Sequence, residues 1–137
     1  MTASTSAIGT AGFHILLVED HEDTANIMSR LLRSFGHDVQ TAGSVATALQ
    51  AVAASRPFDL LISDIGLPDG SGVDLMRQLR AQYDIRGIAL TGWGLEDVED
   101  SKAAGFVEHL KKPVDLMHLR TVIDRVAKAP PTPPTGT

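Results

Sequence analysis

The stretch Phe58-Asp59-Leu60-Leu61-Ile62-Ser63-Asp64-Ile65-Gly66-Leu67-Pro68-Asp69-Gly70-Ser71-Gly72 decides the fold. Its first part is apolar on both faces, which suits a strand buried under helices on each side. Phe58–Ser63 therefore reads as a strand that stops at Asp64. Leu67 to Gly72 is a dense turn, and the chain then enters a helix with Leu75, Met76 and Leu79 inward. Strand, turn and helix make one βα unit.

The alternation recurs in both directions along the chain. Phe13–Val18 is a first strand. A helix follows with Ala25, Met28, Leu31, Leu32 and Phe35 on one face, and Gly36 is placed to stop it. His37–Thr41 is a short second strand. Ser44 can cap a helix whose inner face is Val45, Ala48, Leu49 and Val52. Gly87–Thr91 and Phe106–Leu110 are the fourth and fifth strands. The helix between them, Leu95–Ala104, is poor, with Leu95 and Val98 set among Glu96, Asp97, Glu99 and Asp100; Gly105 ends it. Asp115 caps a last helix with Leu116, Leu119, Ile123 and Val126 inward.

Five such units are too few for a closed eight-stranded barrel. The expected fold is α/β: an open, doubly wound, five-stranded parallel sheet in the order 2-1-3-4-5, flavodoxin-like. Residues 13–128 form the domain. Residues 1–12, rich in Gly, Ala, Ser and Thr, and the proline-rich residues 129–137 read as flexible tails. A chain of 137 residues with 43% hydrophobic content supports one domain with a real core. It leaves no room for a second domain of ordinary size, so the chain reads as a single-domain protein or a piece of a larger one. A net charge of −5 argues against DNA binding by the domain itself. The absence of cysteine excludes disulfides, zinc–thiolate sites and thiol catalysis. No signal peptide or membrane-spanning stretch is visible, so a cytoplasmic location is expected.

Ligands of open parallel sheets bind beyond the carboxyl ends of the strands. Here those ends carry Glu19-Asp20, Asp64, Thr91 and Lys112-Pro113. In the expected strand order they converge on one patch. Three crowded carboxylates repel one another unless a cation sits among them. Mg²⁺ suits the donor set, because it prefers oxygen and often shares its shell with phosphate. A carboxylate can accept a phosphoryl group as an aspartyl phosphate. Lys112 supplies a compact positive charge, Thr91 a hydroxyl, and Gly92 leaves the backbone open. Gly66 has no side chain to block Asp64. Each feature also has an ordinary structural reading: capping acids, an exposed lysine, a helix-starting proline.

The set resembles the receiver domain of two-component response regulators across nearly all of residues 13–128. The matching motifs are V-E-D at 18–20, L-L-I-S-D-I-G-L-P-D-G-S-G at 60–72, A-L-T-G at 89–92 and H-L-K-K-P-V-D at 109–115. The resemblance implies that Asp64 is the phosphoacceptor. It implies that Glu19, Asp20, Asp64 and the Gly66 carbonyl hold Mg²⁺, and that Thr91 and Lys112 contact the phosphoryl group. It implies a histidine kinase or histidine phosphotransfer protein as donor, with the receiver catalysing both its own phosphorylation and its own dephosphorylation.

One departure stands out. Many receivers carry Tyr or Phe three residues before the lysine, where this chain has His109, so an aromatic rotamer switch is in doubt. Trp93 flanks the site. The other histidines, His14, His21, His37 and His118, show no ligand spacing and read as surface or packing residues. Phosphorylation is expected to draw in Thr91 and shift the loop before the Leu95–Ala104 helix, the least apolar element. Thr24, Ile27 and the Pro113-Val114 turn could form an apolar patch where the donor docks. Three rival functions remain: a phosphorylation-independent interaction module with the same fold, an aspartyl phosphohydrolase, and a flavin or nucleotide carrier. Gly66 stands where a phosphohydrolase of the haloacid-dehalogenase type needs a second aspartate. Glu19-Asp20-His21-Glu22-Asp23 would repel a bare phosphate after the first strand.

Overall fold

Five strands pair side by side in the computed structural model, which describes residues 12–92 and 102–128. They are β1 (His14–Val18), β2 (Asp38–Ala42), β3 (Leu60–Asp64), β4 (Arg86–Thr91) and β5 (Phe106–Lys111). All neighbours are parallel and the order is β2-β1-β3-β4-β5, the order expected from sequence. Strand ends differ from expectation by one or two residues. The helices are α1 (Glu22–Ser34), α2 (Val45–Ala54), α3 (Gly72–Arg80) and α4 (Leu116–Lys128). The tails, and residues 93–101 with Trp93 and most of the expected Leu95–Ala104 helix, lie outside the described residues; residues 102–104 are helical.

The two-residue period of a strand sorts its side chains between two cores. Leu16, Val18, Leu61 and Ala89 face Ala48 and Ala51 of α2 and Val73, Leu75, Met76 and Leu79 of α3. Ile15, Leu17, Leu60, Ile62, Ile88 and Leu90 face Met28 and Leu32 of α1 and Leu119, Val122, Ile123 and Val126 of α4. Among the described residues, α2 and α3, joined by Ala104, cover one face of the sheet, and α1 and α4 cover the other. The strand order runs outward in opposite directions from β1 and β3, which opens a crevice at their carboxyl ends.

Local signals agree with this frame. Gly36, at φ 98°, follows α1, a conformation that costs glycine little. Ser44 caps α2 in a reciprocal box with Thr47. Asp115 Oδ1 accepts from the N–H groups of Met117, at 3.0 Å, and His118, at 3.3 Å, at the start of α4. The turn after Asp64 is more ordered than its sequence suggests, because Gly66–Leu67 and Gly70–Ser71 pair as a small antiparallel ribbon. His14 and His37 pack as expected: His14 stacks on Phe58, and His37 accepts the Phe13 N–H at 3.0 Å.

Gly72 is where the fold touches the site. Its N–H donates to the Ile65 carbonyl at 2.7 Å. A methyl group at this position would collide with the Asp64 carbonyl oxygen and crowd the Ser63 hydroxyl. The obstacle is backbone and cannot turn aside. Gly72→Ala is therefore expected to push α3 from the end of β3 and to destabilise the domain by about 2–3 kcal/mol. An unchanged urea midpoint would show that this close approach is not needed.

Candidate functional site

The sheet register sets the carboxyl ends abreast. Val18 pairs with Ser63, Asp64 with Leu90, and Thr91 with Lys111. Glu19 is held just beyond β1 by its N–H donating to the Ala42 carbonyl at 3.0 Å. Lys112 is held just beyond β5 by its N–H donating to the Thr91 carbonyl at 2.7 Å. The Lys112–Pro113 peptide is cis. Glu19 and Asp64 are buried, at 2% and 3% exposure, while Asp20 is open to solvent.

One carboxylate oxygen from each of Glu19, Asp20 and Asp64 lies within 4.8 Å of the others. Lys112 Nζ reaches into the cluster, 2.9 Å from Asp64 Oδ1 and 3.1 Å from Glu19 Oε1. It donates a hydrogen bond to Asp64. With Glu19 Oε1 it makes an ion pair by proximity, yet that buried oxygen accepts no hydrogen bond. The other oxygen, Glu19 Oε2, accepts from the His21 N–H at 2.9 Å.

These contacts set the proton balance. Burial, reinforced by the Glu19 carboxylate, pushes Asp64 up to about 7, against the pull of Lys112. Burial pushes Glu19 up as well, but the His21 N–H, Asp64 and Lys112 outweigh it and hold Glu19 below the usual carboxylate range. Lys112 is pulled down by burial and, more strongly, raised by its two carboxylate partners.

Three carboxylates facing one ammonium leave two uncompensated negative charges when all are ionised. A hard divalent cation would neutralise them. The donors are all oxygen, one buried carboxylate oxygen has no hydrogen bond, and Asp20 keeps one side wet. That combination fits Mg²⁺, which retains part of its water shell.

The remaining candidates fall around this cluster. Thr91 ends β4, and its hydroxyl makes a long 3.5 Å contact with the Leu110 carbonyl. Gly66 is exposed, and no atom lies within 4 Å of where a side chain would begin. His109 is half-buried with its ring edge-on to Phe106; burial and Lys102 hold it below the usual histidine range against the pull of Glu108. Thr24, Ile27, Gly92, Lys112, Pro113 and Val114 line one cavity of about 500 Å³. Ile27 is 57% exposed on its rim.

Two contributors escaped the sequence reading. His21 caps α1: its ring accepts the Thr24 N–H, and its own N–H holds Glu19. Asp69 grips the first turn of α2, accepting from Val45 N–H at 2.8 Å and Ala46 N–H at 3.0 Å. A histidine cap is an unusual choice, and Asp69 lies 24 residues from its partner in sequence, so neither leaves a local signal.

Residues 15–124 match the model of the response regulator receiver domain family, and the chain belongs to that family. Domains of this family accept a phosphoryl group in two-component signalling. Among individual proteins, the chain is 34% identical to response regulator protein PilR of Pseudomonas aeruginosa, over 79% of this chain and 24% of that protein. It is 26% identical to sporulation initiation phosphotransferase F of Bacillus subtilis, over 81% of this chain and 90% of that protein. The CheY-like receiver domain protein of Methanospirillum hungatei superposes with a TM-score of 0.78 at 26% identity, covering 85% of this chain and 94% of that one. The chain thus spans about a quarter of the length of PilR. Among the described residues, no helix is long and apolar enough to cross a membrane.

Proposed function

We propose that this domain is a phosphoryl-accepting switch in which Asp64 takes the phosphoryl group from a phosphohistidine. The observation that carries the reading is the buried Asp64 carboxylate, 2.9 Å from Lys112 Nζ and within 4.8 Å of the Glu19 and Asp20 carboxylates. An Asp64 oxygen forms the new bond to phosphorus. The phosphorus–nitrogen bond to the donor imidazole breaks, and the imidazole keeps the electron pair. Lys112 stays beside the oxygen-rich group and balances its charge; the Thr91 hydroxyl donates to one of its oxygens. Water later cleaves the acyl phosphate and resets the switch.

Glu19, Asp20, Asp64 and the Gly66 carbonyl would hold Mg²⁺. When bound, the ion supplies charge neutralisation for the incoming phosphoryl oxygens. Thr24, Ile27 and Val114 provide the apolar surface on which a histidine kinase or phosphotransfer protein docks, because their shared cavity also contains Lys112. The domain then passes its state on by partner binding or by relaying the phosphoryl group.

Beryllofluoride, a stable mimic of the aspartyl phosphate, tests this reading against that of a phosphorylation-independent module. With Mg²⁺ it should form a one-to-one adduct seen by fluorine NMR, lost in Asp64→Asn. No adduct in the wild-type chain would favour the module.

A further inference from the structure

The six residues after Ile65 form a loop pinned to two helices at once. On one side, Ser71 Oγ accepts the Val73 N–H at 3.0 Å and Gly72 N–H donates to the Ile65 carbonyl at 2.7 Å, which fixes the loop to α3. On the other side, Asp69 spans out to α2, with Oδ1 on Val45 N–H and Oδ2 on Ala46 N–H. Within the loop, Gly66 pairs with Ser71 and Leu67 with Gly70. Gly66 is exposed and has no side chain to pack, so its backbone is placed by these connections and by its neighbours Ile65 and Leu67, which rest on the core.

The α2 terminus does not depend on Asp69 alone. Ser44 Oγ already accepts the Thr47 N–H at 3.1 Å, and Thr47 Oγ1 accepts the Ser44 N–H at 3.0 Å. That local box needs nothing from the Asp64 loop. Asp69 adds a pair of charge-assisted bonds that couple the start of α2 to the loop two residues beyond Asp64. The two backbone N–H groups hold its carboxyl below the usual carboxylate range, so the bridge stays ionised under ordinary conditions.

We infer that Asp69 is a positioning residue for the cation site: by tying the Gly66–Ser71 ribbon to the N-terminus of α2, it fixes the direction of the Gly66 carbonyl. This rests on the reading of that carbonyl as a Mg²⁺ ligand. The logic is that of any outer contact that orients a metal ligand, where a missing support weakens binding without removing a donor.

Mg²⁺ alone is the probe, titrated into the full chain and followed by amide chemical shifts. Asp69→Ala should bind about tenfold more weakly than wild type. Asp69→Asn, which keeps one acceptor oxygen, should fall between. Ser44→Ala loosens the same helix end without touching the loop, and should stay within about twofold of wild type. In Mg²⁺-free buffer, amide exchange of residues 66–71 should be faster in Asp69→Ala than in Ser44→Ala. Wild-type affinity in Asp69→Ala, or equal loss in Asp69→Ala and Ser44→Ala, overturns the inference. If Asp64→Asn takes up Mg²⁺ as well as wild type does, the cation site itself is wrong; the exchange comparison then decides alone whether Asp69 orders the loop.

Discussion

Asp64→Asn is expected to abolish phosphoryl uptake. Given a small-molecule phosphodonor and Mg²⁺, the wild-type chain should gain the mass of one phosphoryl group and the variant none. The substitution keeps the shape of the side chain and removes its nucleophilic oxygen. An amide can neither attack phosphorus efficiently nor ligate the cation as a carboxylate does. The new bond is an acyl phosphate, so the added mass should disappear in mild alkali. Ile27→Glu separates chemistry from docking. It lies on the cavity rim, and should leave the small-molecule reaction intact while slowing transfer from a phosphohistidine partner by about tenfold. Phosphoryl uptake at full extent by Asp64→Asn would refute the assignment of the acceptor. Equal transfer rates from the protein donor would remove Ile27 from the docking surface.

Lys112→Met should produce a stability loss as large as that of Gly72→Ala, by an electrostatic route. In Mg²⁺-free buffer it leaves Glu19 and Asp64 buried together with no ammonium between them. Removing one partner of a buried ion pair typically costs about 3–5 kcal/mol. Lys112 keeps a third of its side chain exposed, so a loss of about 2–3 kcal/mol is the better expectation. Asp64→Asn acts in the opposite direction. It deletes a buried acid that burial and Glu19 already drive towards its protonated form, and should stabilise the metal-free domain by about 1 kcal/mol. The two changes share a contact and should not add: Lys112→Met should cost at least about 1 kcal/mol less in the Asp64→Asn background. Saturating Mg²⁺ should recover much of the Lys112→Met loss, since a ligand at a hundred times its Kd contributes about 2.7 kcal/mol. Chemical denaturation of the four proteins measures the whole cycle. Strict additivity would mean that the ammonium is not coupled to Asp64.

Much of the frame was legible because its signals are local. The central strands β1, β3 and β4 announce themselves as short apolar runs, and the inward faces of α1, α3 and α4 broadly follow the helical period. Ala25, Met28, Leu32, Leu75, Met76, Leu79, Leu119, Ile123 and Val126 are buried as expected, whereas Leu31, Phe35 and Leu116, also expected inward, are only half-buried, and Val122 is buried without having been singled out. The pattern was less sharp in α2. There Ala48 and Ala51 go deepest, while Val45, Leu49 and Val52 only partly bury. An alternation of alanine and valine leaves a broad apolar surface whose centre the sequence does not mark.

The site divides along the same line. The identities of Glu19, Asp20, Asp64 and Lys112, and their places at strand ends, could be read from the chain itself. Which pairs touch could not. That Lys112 bridges Glu19 as well as Asp64, that His21 anchors Glu19, and that Asp69 reaches across to α2 are contacts set by packing.

The sequence by itself determined the alternation of strand and helix and which residue types stand at the strand ends, because periodicity and turn chemistry act over short stretches; the strand order was an expectation for an open five-unit sheet that the pairing of distant strands then met. Only the tertiary structure decided where charge is left uncompensated and which donor supports which acid. Those depend on burial and on distances of a few ångströms between segments far apart in the chain, and no local pattern encodes them.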